Sequence, residues 1–413
     1  MHMIHRPALV AALVFMLVCV GCSSGSVTNN TTLVLATILP MTGEAAGIGL
    51  AMQQGVDLAV KQNGDLGHGY TLTVAHADEA SDPTAIIQAL NGNAQVMGIV
   101  GPYDSVTAKT IIPLVTTDQL ATISPTNTLP GLTKADQATA EGITYATLHP
   151  TGKPVAYFRL PEDDNAMAKV AADLAVTKTG PGSLAAQSAY VVDDGTDSGK
   201  AQAAAFTQEF HAKKGTVAGH STLTTGATAT IESVIRAIIE AEPDMVYYAG
   251  GTTDGGAELR DTLTLSGAPQ LPILTGSQVA DDPNWATANG LAAAAAATEA
   301  LVSAPEPSTL TTPAAKSLST AYQAAYPNTA LLPQTVMAYD AAMVAITAIK
   351  TVVASGKTPS RAAVVAAVAK TAYAGVMGAI AFDPSGDNTL ALGFSLYTCD
   401  TKGKWNYTTH LNG

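Results

Sequence analysis

Apolar runs of strand length alternate with amphipathic stretches of helical period through most of this chain, and few folds accommodate that alternation. Thr32 to Leu39 reads as a buried strand, and the helix after it sets Met52, Val56, Ala59 and Val60 on one face. Tyr70 to Ala77 is the next strand, Pro83 to Gln95 a helix, Met97 to Val100 a strand, Thr107 to Thr116 a helix and Ala121 to Ser124 a strand. After a looser segment, Lys134 to Pro154, come helix Asn165 to Thr177, strand Ser188 to Val192, helix Asp197 to Lys214 and strand Thr216 to Leu223. Helix Thr228 to Glu240, strand Met245 to Tyr248, helix Thr253 to Ser266 and strand Pro272 to Leu274 follow. Repeated βα units imply a parallel sheet with helices on both faces, so two series of similar size predict two similar sheets. The Ala-rich run Leu291 to Ala304 returns the chain toward the first lobe, which helices near Pro313 to Ala325, Thr335 to Ala354 and Arg361 to Lys370 complete. Ala379 to Phe382 and Phe394 to Thr398 read as a third crossing.

The first residues are a leader rather than part of this fold. Arg6 precedes the apolar run Pro7 to Val18, which is too short for a permanent membrane helix and ends in Cys19-Val20-Gly21-Cys22. That ending resembles the bacterial lipobox, in which the cysteine receives a diacylglyceryl group and becomes the mature N-terminus. The resemblance makes residues 1–21 a lipoprotein signal peptide, Cys22 the lipidation site and residues 22–31 a flexible tether. The alternative is an ordinary secretory signal cleaved nearby. Residues 1–21 carry Arg6 and no other charge, so 19 Lys and Arg then face 33 Asp and Glu, a formal charge of −14 that speaks against nucleic acid as a partner. Of the three cysteines only Cys22 and Cys399 remain, which leaves the body no disulfide and no cysteine-based metal site.

In open parallel sheets, ligands bind beyond the carboxyl ends of the strands. Three such ends break into Gly, Pro and small hydroxyl residues before a helix: Leu39-Pro40-Met41-Thr42-Gly43, Val100-Gly101-Pro102-Tyr103-Asp104-Ser105, and Ile123-Ser124-Pro125-Thr126-Asn127-Thr128. Backbone N–H groups and hydroxyls there can meet a polar ligand, although any one loop alone is better explained as turn and cap chemistry.

Taken together, these loops resemble the leucine- and branched-chain-amino-acid-type periplasmic binding proteins. Gly49, the acidic Asp78-Glu79-Ala80-Ser81-Asp82-Pro83, the segment Pro243 to Gly250 with Leu259-Arg260, and Val376-Met377-Gly378 with Phe382 to Asp387 belong to the same likeness. It implies two Rossmann-like lobes with parallel sheets joined by a three-crossing hinge near residues 160, 302 and 378. Residues 32–160 and 303–378 form lobe 1, and residues 161–302 and 379–413 form lobe 2. It also implies a small-molecule ligand in the cleft, delivery to an ABC permease and its ATPase, and an extracytoplasmic monomer held at the membrane by its N-terminal lipid. A lipid-anchored sensor serving a signalling receptor is the alternative output.

Carried over by position, Ser105, Thr126, Asn127 and Thr128 fall on the carboxylate-binding side, and Tyr103 in the same loop as Ser105 is a further ligand candidate. Ser198, Gly251 and Ser277 fall opposite, where the family commonly has Tyr, Tyr and the Glu that pairs with an ammonium group. Gln278, beside that last position, is neutral. A cationic amine thus lacks its usual partner unless Asp197, Asp254 or Glu44 substitutes, so neutral or acidic metabolites are expected to bind better than leucine, isoleucine or valine. Asp104 either accepts a hydrogen bond from ligand or faces solvent.

Catalytic readings are weak. Gly47-Ile48-Gly49 lacks the third glycine of a dinucleotide fingerprint, and Gly219-His220-Ser221-Thr222-Leu223 has Leu where a hydrolase elbow needs Gly. His76, Asp78, Glu79 and Asp82 have no recognisable metal-ligand spacing and read as a solvated loop. No enzyme activity and no cofactor are expected.

Overall fold

The computed structural model of the chain describes residues 31–43, 45–223, 228–251, 255–280, 285 and 297–413. The leader, Cys22, Glu44, Asp254 and the 291–296 part of the Ala-rich run lie outside these residues.

Strands β1 (Thr32–Leu39), β2 (Asp65–Gly67), β3 (Tyr70–Asp78), β4 (Val96–Val100), β5 (Ala121–Ser124) and β6 (Tyr157–Arg159) form one sheet in the order β2-β3-β1-β4-β5-β6. Every pair is parallel except β2 with β3. Helices α1 (Ala46–Asn63), α2 (Pro83–Gly92) and α3 (Ser105–Asp118) connect the strands. Along β1, Leu33, Leu35 and Leu39 enter one core while Val34, Ala36 and Ile38 enter another on the opposite face. Period-two alternation with both faces buried is what a helix-covered parallel sheet requires.

Helix α4 (Asp164–Val176) follows β6, and its start is set by the Asp163 carboxylate accepting from the Ala166 N–H. The second sheet then begins with β7 (Ser188–Asp193), helix α5 (Asp197–Ala212), β8 (Thr216–Thr222), helix α6 (Thr228–Ala241), β9 (Met245–Ala249), helix α7 (Ala257–Leu265), β10 (Ile273–Gly276) and β11 (Thr298–Val302). Val191, Tyr247 and Leu274 pack on one face with Phe206, whose ring stacks on Tyr247 at 3.8 Å between centroids; Val192, Val246 and Tyr248 pack on the other.

The chain next passes through α8 (Pro313–Ala325), α9 (Pro333–Ala354), α10 (Arg361–Val368) and a hairpin, β12 (Ala372–Ala374) with β13 (Ala379–Ala381). It ends in β14 (Phe394–Cys399) and β15 (Trp405–Leu411), which extend the second sheet antiparallel from β11. Helix α9 is long and apolar enough to cross a membrane. Its Val336, Ala338, Ile349 and Val353 are nevertheless buried in the core beside β1 and α1.

Leaving aside the antiparallel additions, the strand orders are β3-β1-β4-β5-β6 and β8-β7-β9-β10-β11. Both follow the doubly wound 2-1-3-4-5 pattern, so the fold is α/β with mostly parallel sheets in two lobes. The chain passes between the sheets after β6, after β11 and between β13 and β14. Strands β2, β6, β11, β12 and β15 were not anticipated: β2, β6 and β12 have three residues each, and β11 lies inside the Ala-rich run Leu291 to Ala304, whose composition carries no strand signal.

Candidate functional site

Loops following the carboxyl ends of both sheets enclose a cleft of about 660 Å³. From the first sheet come Tyr103, Asp104 and Ser105 after β4, Pro125, Thr126 and Thr128 after β5, and Pro161, Asp164 and Met167 after β6. From the second come Asp194, Thr196, Asp197 and Ser198 after β7, Gly250 after β9, Ser277 and Gln278 after β10, and Ser303 after β11. Peptide dipoles and unpaired helix-start N–H groups collect at these ends, which makes them binding surfaces for polar groups.

The first-lobe wall is held by its own hydrogen bonds. The Ser124 hydroxyl donates to the Pro102 carbonyl at 2.8 Å and accepts from the Asn127 N–H at 3.0 Å. The Thr126 hydroxyl and the Asn127 amide both donate to the Tyr103 carbonyl, at 2.9 and 2.8 Å. Behind them the Glu79 carboxylate accepts from the N–H groups of Tyr103 and Asp104, each at 2.8 Å. Burial pushes the Glu79 carboxyl up to about 7 against those bonds. Gly101 makes the turn possible: its φ is +123°, and a Cβ there would stand 2.1 Å from the Ile38 carbonyl oxygen.

Seven of the nine sequence-derived ligand candidates reach the cleft: Tyr103, Ser105, Thr126, Thr128, Ser198, Ser277 and Gln278. Asn127 and Gly251 do not line it. Asn127 is 1% exposed and, besides its bond to Tyr103, accepts from the buried Tyr157 hydroxyl at 2.7 Å. Gly251 is buried and its carbonyl accepts from the Tyr248 hydroxyl at 2.8 Å. The LPMTG loop also stays off the wall, where Met41 N–H and the Thr42 hydroxyl bond Asp78 at 3.0 and 2.7 Å. Asp104 is exposed at the cleft, and its carboxylate caps α3 through the Val106 N–H at 3.2 Å.

In the acidic stretch expected to be a solvated loop, His76 and Asp82 are exposed, but its three carboxylates are also structural. Asp78 holds the LPMTG loop, Glu79 is buried under the cleft wall, and Asp82 caps α2 through the Thr84 N–H at 2.9 Å. His220, in the stretch that fails as a hydrolase elbow, is exposed on β8 and lies 2.7 Å from the Asp193 carboxylate.

Sequence reasoning missed the carboxylates of Asp164 and Asp194. Asp164 is 4% exposed yet lines the cleft; its N–H donates to the Thr128 carbonyl at 2.9 Å and its Oδ1 accepts from Gln202 at 3.3 Å. Burial pushes its carboxyl up to about 6. Asp197 lines the cleft too, with its carboxylate 4.0 Å from the Lys109 ammonium. Of the three substitutes named for the missing ammonium partner, Asp197 thus lines the cleft, while Asp254 and Glu44 lie outside the described residues. The missed signal was the doubled Asp163-Asp164, in which the first residue caps the helix and the second turns to the cleft.

Behind this wall, fully buried Arg159 ties three segments together. It donates to Asp387 at 2.7 and 3.2 Å, to the Leu129 carbonyl at 2.7 Å and to the Thr133 hydroxyl at 2.8 Å. Lys134 pairs with Asp163 in the same cluster. Among the described residues no group of three or more histidine, cysteine or acidic side chains could hold a metal ion.

A family model described as periplasmic binding protein matches residues 32–404. A search of the curated proteins returns no match. Among solved structures, the leucine-binding protein LivK of Thermotoga maritima is similar at 21% identity and a TM-score of 0.73, over 92% of this chain and 99% of that one. LivJ of Streptococcus pneumoniae, solved with isoleucine, gives 19% and 0.71 over 92% and 100%. A solute-binding protein from R. palustris, solved with benzoate, gives 19% and 0.66 over 92% and 97%. At such identities the likeness to these structures is one of fold.

Proposed function

Because the chain belongs to the periplasmic binding protein family, we propose that it is an extracytoplasmic solute-binding protein that captures a small polar metabolite in the cleft and delivers it to an ABC importer. The observation that carries this reading is the position of the cleft, lined by the polar residues Ser105, Thr126 and Thr128 from one sheet and Ser198, Ser277 and Gln278 from the other. A ligand touching both sets favours the closed arrangement of the lobes by its differential affinity, and a transporter can read that arrangement. The lobes are residues 32–160 with 303–378 and residues 161–302 with 379–413. No covalent step is needed.

The anchor belongs to the same reading: a lipid on Cys22 would keep the binding protein beside its permease. Cys22→Ala should move the protein from the membrane fraction to the soluble one, and unchanged partitioning would remove the anchor. For the cleft, a thermal-shift screen of metabolites identifies a ligand and calorimetry gives its affinity. Ser105→Ala with Thr128→Ala should weaken binding at least about tenfold, the loss of roughly one or two hydrogen bonds. Unchanged affinity would place the ligand elsewhere.

A further inference from the structure

Four carboxylates, those of Asp104, Asp164, Asp194 and Asp197, line the cleft, and among the described residues Lys109 is the one basic side chain there. Lys109 is already engaged, donating to the Glu141 carbonyl at 3.1 Å and lying 4.0 Å from Asp197. Asp164 differs from the other three because it is buried where the ligand would sit. Its surroundings supply hydrogen bonds from Thr128 and Gln202, the latter long at 3.3 Å; the Arg159 charge acts on it from a distance, but among the described residues no lysine, arginine or histidine forms an ion pair with it. The nearby cations are spent elsewhere: Arg159 on Asp387, and Lys134 on Asp163. A buried carboxylate without a cation is costly, and a positively charged ligand is the partner that would offset the cost.

We infer that the cleft selects a small organic cation, a solute of net positive charge whose ammonium or guanidinium group supplies that charge, and that Asp164 is the residue that receives it. The inference rests on the cleft being the ligand site. The carboxylates are spread along the wall rather than gathered around one point, and the described residues hold no cluster fit for a metal ion, so an extended organic cation suits them better than a divalent ion. The cleft volume of about 660 Å³ falls in the ordinary range for small-molecule sites. Asp164 lies outside the positions Ser198, Gly251 and Ser277 taken from the family resemblance, so the ammonium partner missing there is replaced from the start of α4.

The test is a thermal-shift panel on the full-length protein in detergent, with lysine, arginine, agmatine and putrescine against leucine, glutamate, benzoate, glucose and calcium chloride, followed by calorimetry. At least one amine or guanidine should give the largest stabilisation. Asp164→Asn should weaken that solute by roughly ten- to a hundredfold, the range of a charge-assisted hydrogen bond, without lowering the melting temperature of the ligand-free protein. Asp164→Ser serves if the amide variant does not fold. A panel in which anionic or uncharged solutes or calcium bind best, in which no cation binds, or in which both Asp164 variants keep full affinity overturns the inference. The Ser105→Ala/Thr128→Ala variant separates the two failures: an anionic or neutral solute lost in that variant leaves the cleft as the site and rejects only the cation, whereas a solute it still binds rejects the cleft.

Discussion

Replacing Asn127 with Ala decides whether this residue braces the site or touches the ligand. Its amide donates to the Tyr103 carbonyl at 2.8 Å, and its carbonyl oxygen accepts from the Tyr157 hydroxyl at 2.7 Å. Tyr103 keeps a second donor in the Thr126 hydroxyl, so the first loss amounts to about 1 kcal/mol, the net worth of a neutral hydrogen bond. Tyr157 is fully buried, and stranding its hydroxyl costs about 1–3 kcal/mol more. The Ser124 hydroxyl also reaches the phenol, which sets the lower end of that range. Asn127→Ala should therefore destabilise the protein by about 2–4 kcal/mol, read as a lower urea midpoint at constant slope. Tyr157→Phe strands the other end of the same bond. The double variant should accordingly cost about 1 kcal/mol or more less than the sum of the two singles. Stability within about 0.5 kcal/mol of the parent, together with a loss of ligand affinity, would refute the bracing role and make Asn127 a contact residue.

Three other perturbations probe the surroundings. Arg159→Met leaves the Asp387 carboxylate without its principal partner and should destabilise by about 3–5 kcal/mol in urea unfolding; a change below about 1 kcal/mol would mean that Lys134, 4.0 Å from Asp387, suffices. Gly101→Ala forces a Cβ to within 2.1 Å of the Ile38 oxygen at a φ of +123°, so ligand affinity and melting temperature should fall together, and an unaffected variant would show the turn to be adaptable. Glu79 and Glu141 are both pushed up to about 7 by burial, Glu79 facing Asp104 and the amides of Tyr103 and Asp104, and Glu141 facing Asp164, Lys109, Arg159 and the Gly131 amide. With folded values above the unfolded carboxylate value, the native state holds more protons between about pH 4.5 and 7, so stability should fall as pH rises through that window; a urea midpoint that rises instead would put both carboxyls in the ordinary range.

What the sequence determined by itself was the architecture. Strand-length runs such as Thr32–Leu39 and Met245–Ala249 are apolar at nearly every position because both faces of a parallel sheet are buried, and that pattern is local enough to read directly. The cleft-forming loops were legible for the same reason, since Gly101-Pro102 and Ser124-Pro125 break apolar runs where strands must end. Short strands such as Tyr157–Arg159 escaped because three residues carry no period, and their identity comes from the neighbours they pair with. The roles of individual polar residues were decided only in three dimensions. Thr126, Asn127 and Thr128 are equivalent in sequence, yet Asn127 turns inward to Tyr157 while its neighbours line the cleft. Asp163 and Asp164 are adjacent aspartates, yet one caps a helix and pairs with Lys134 while the other stands buried in the cleft without a cationic partner among the described residues. Which way a side chain faces depends on segments far along the chain, Thr128 and Gln202 for Asp164, and no local pattern encodes where those segments meet.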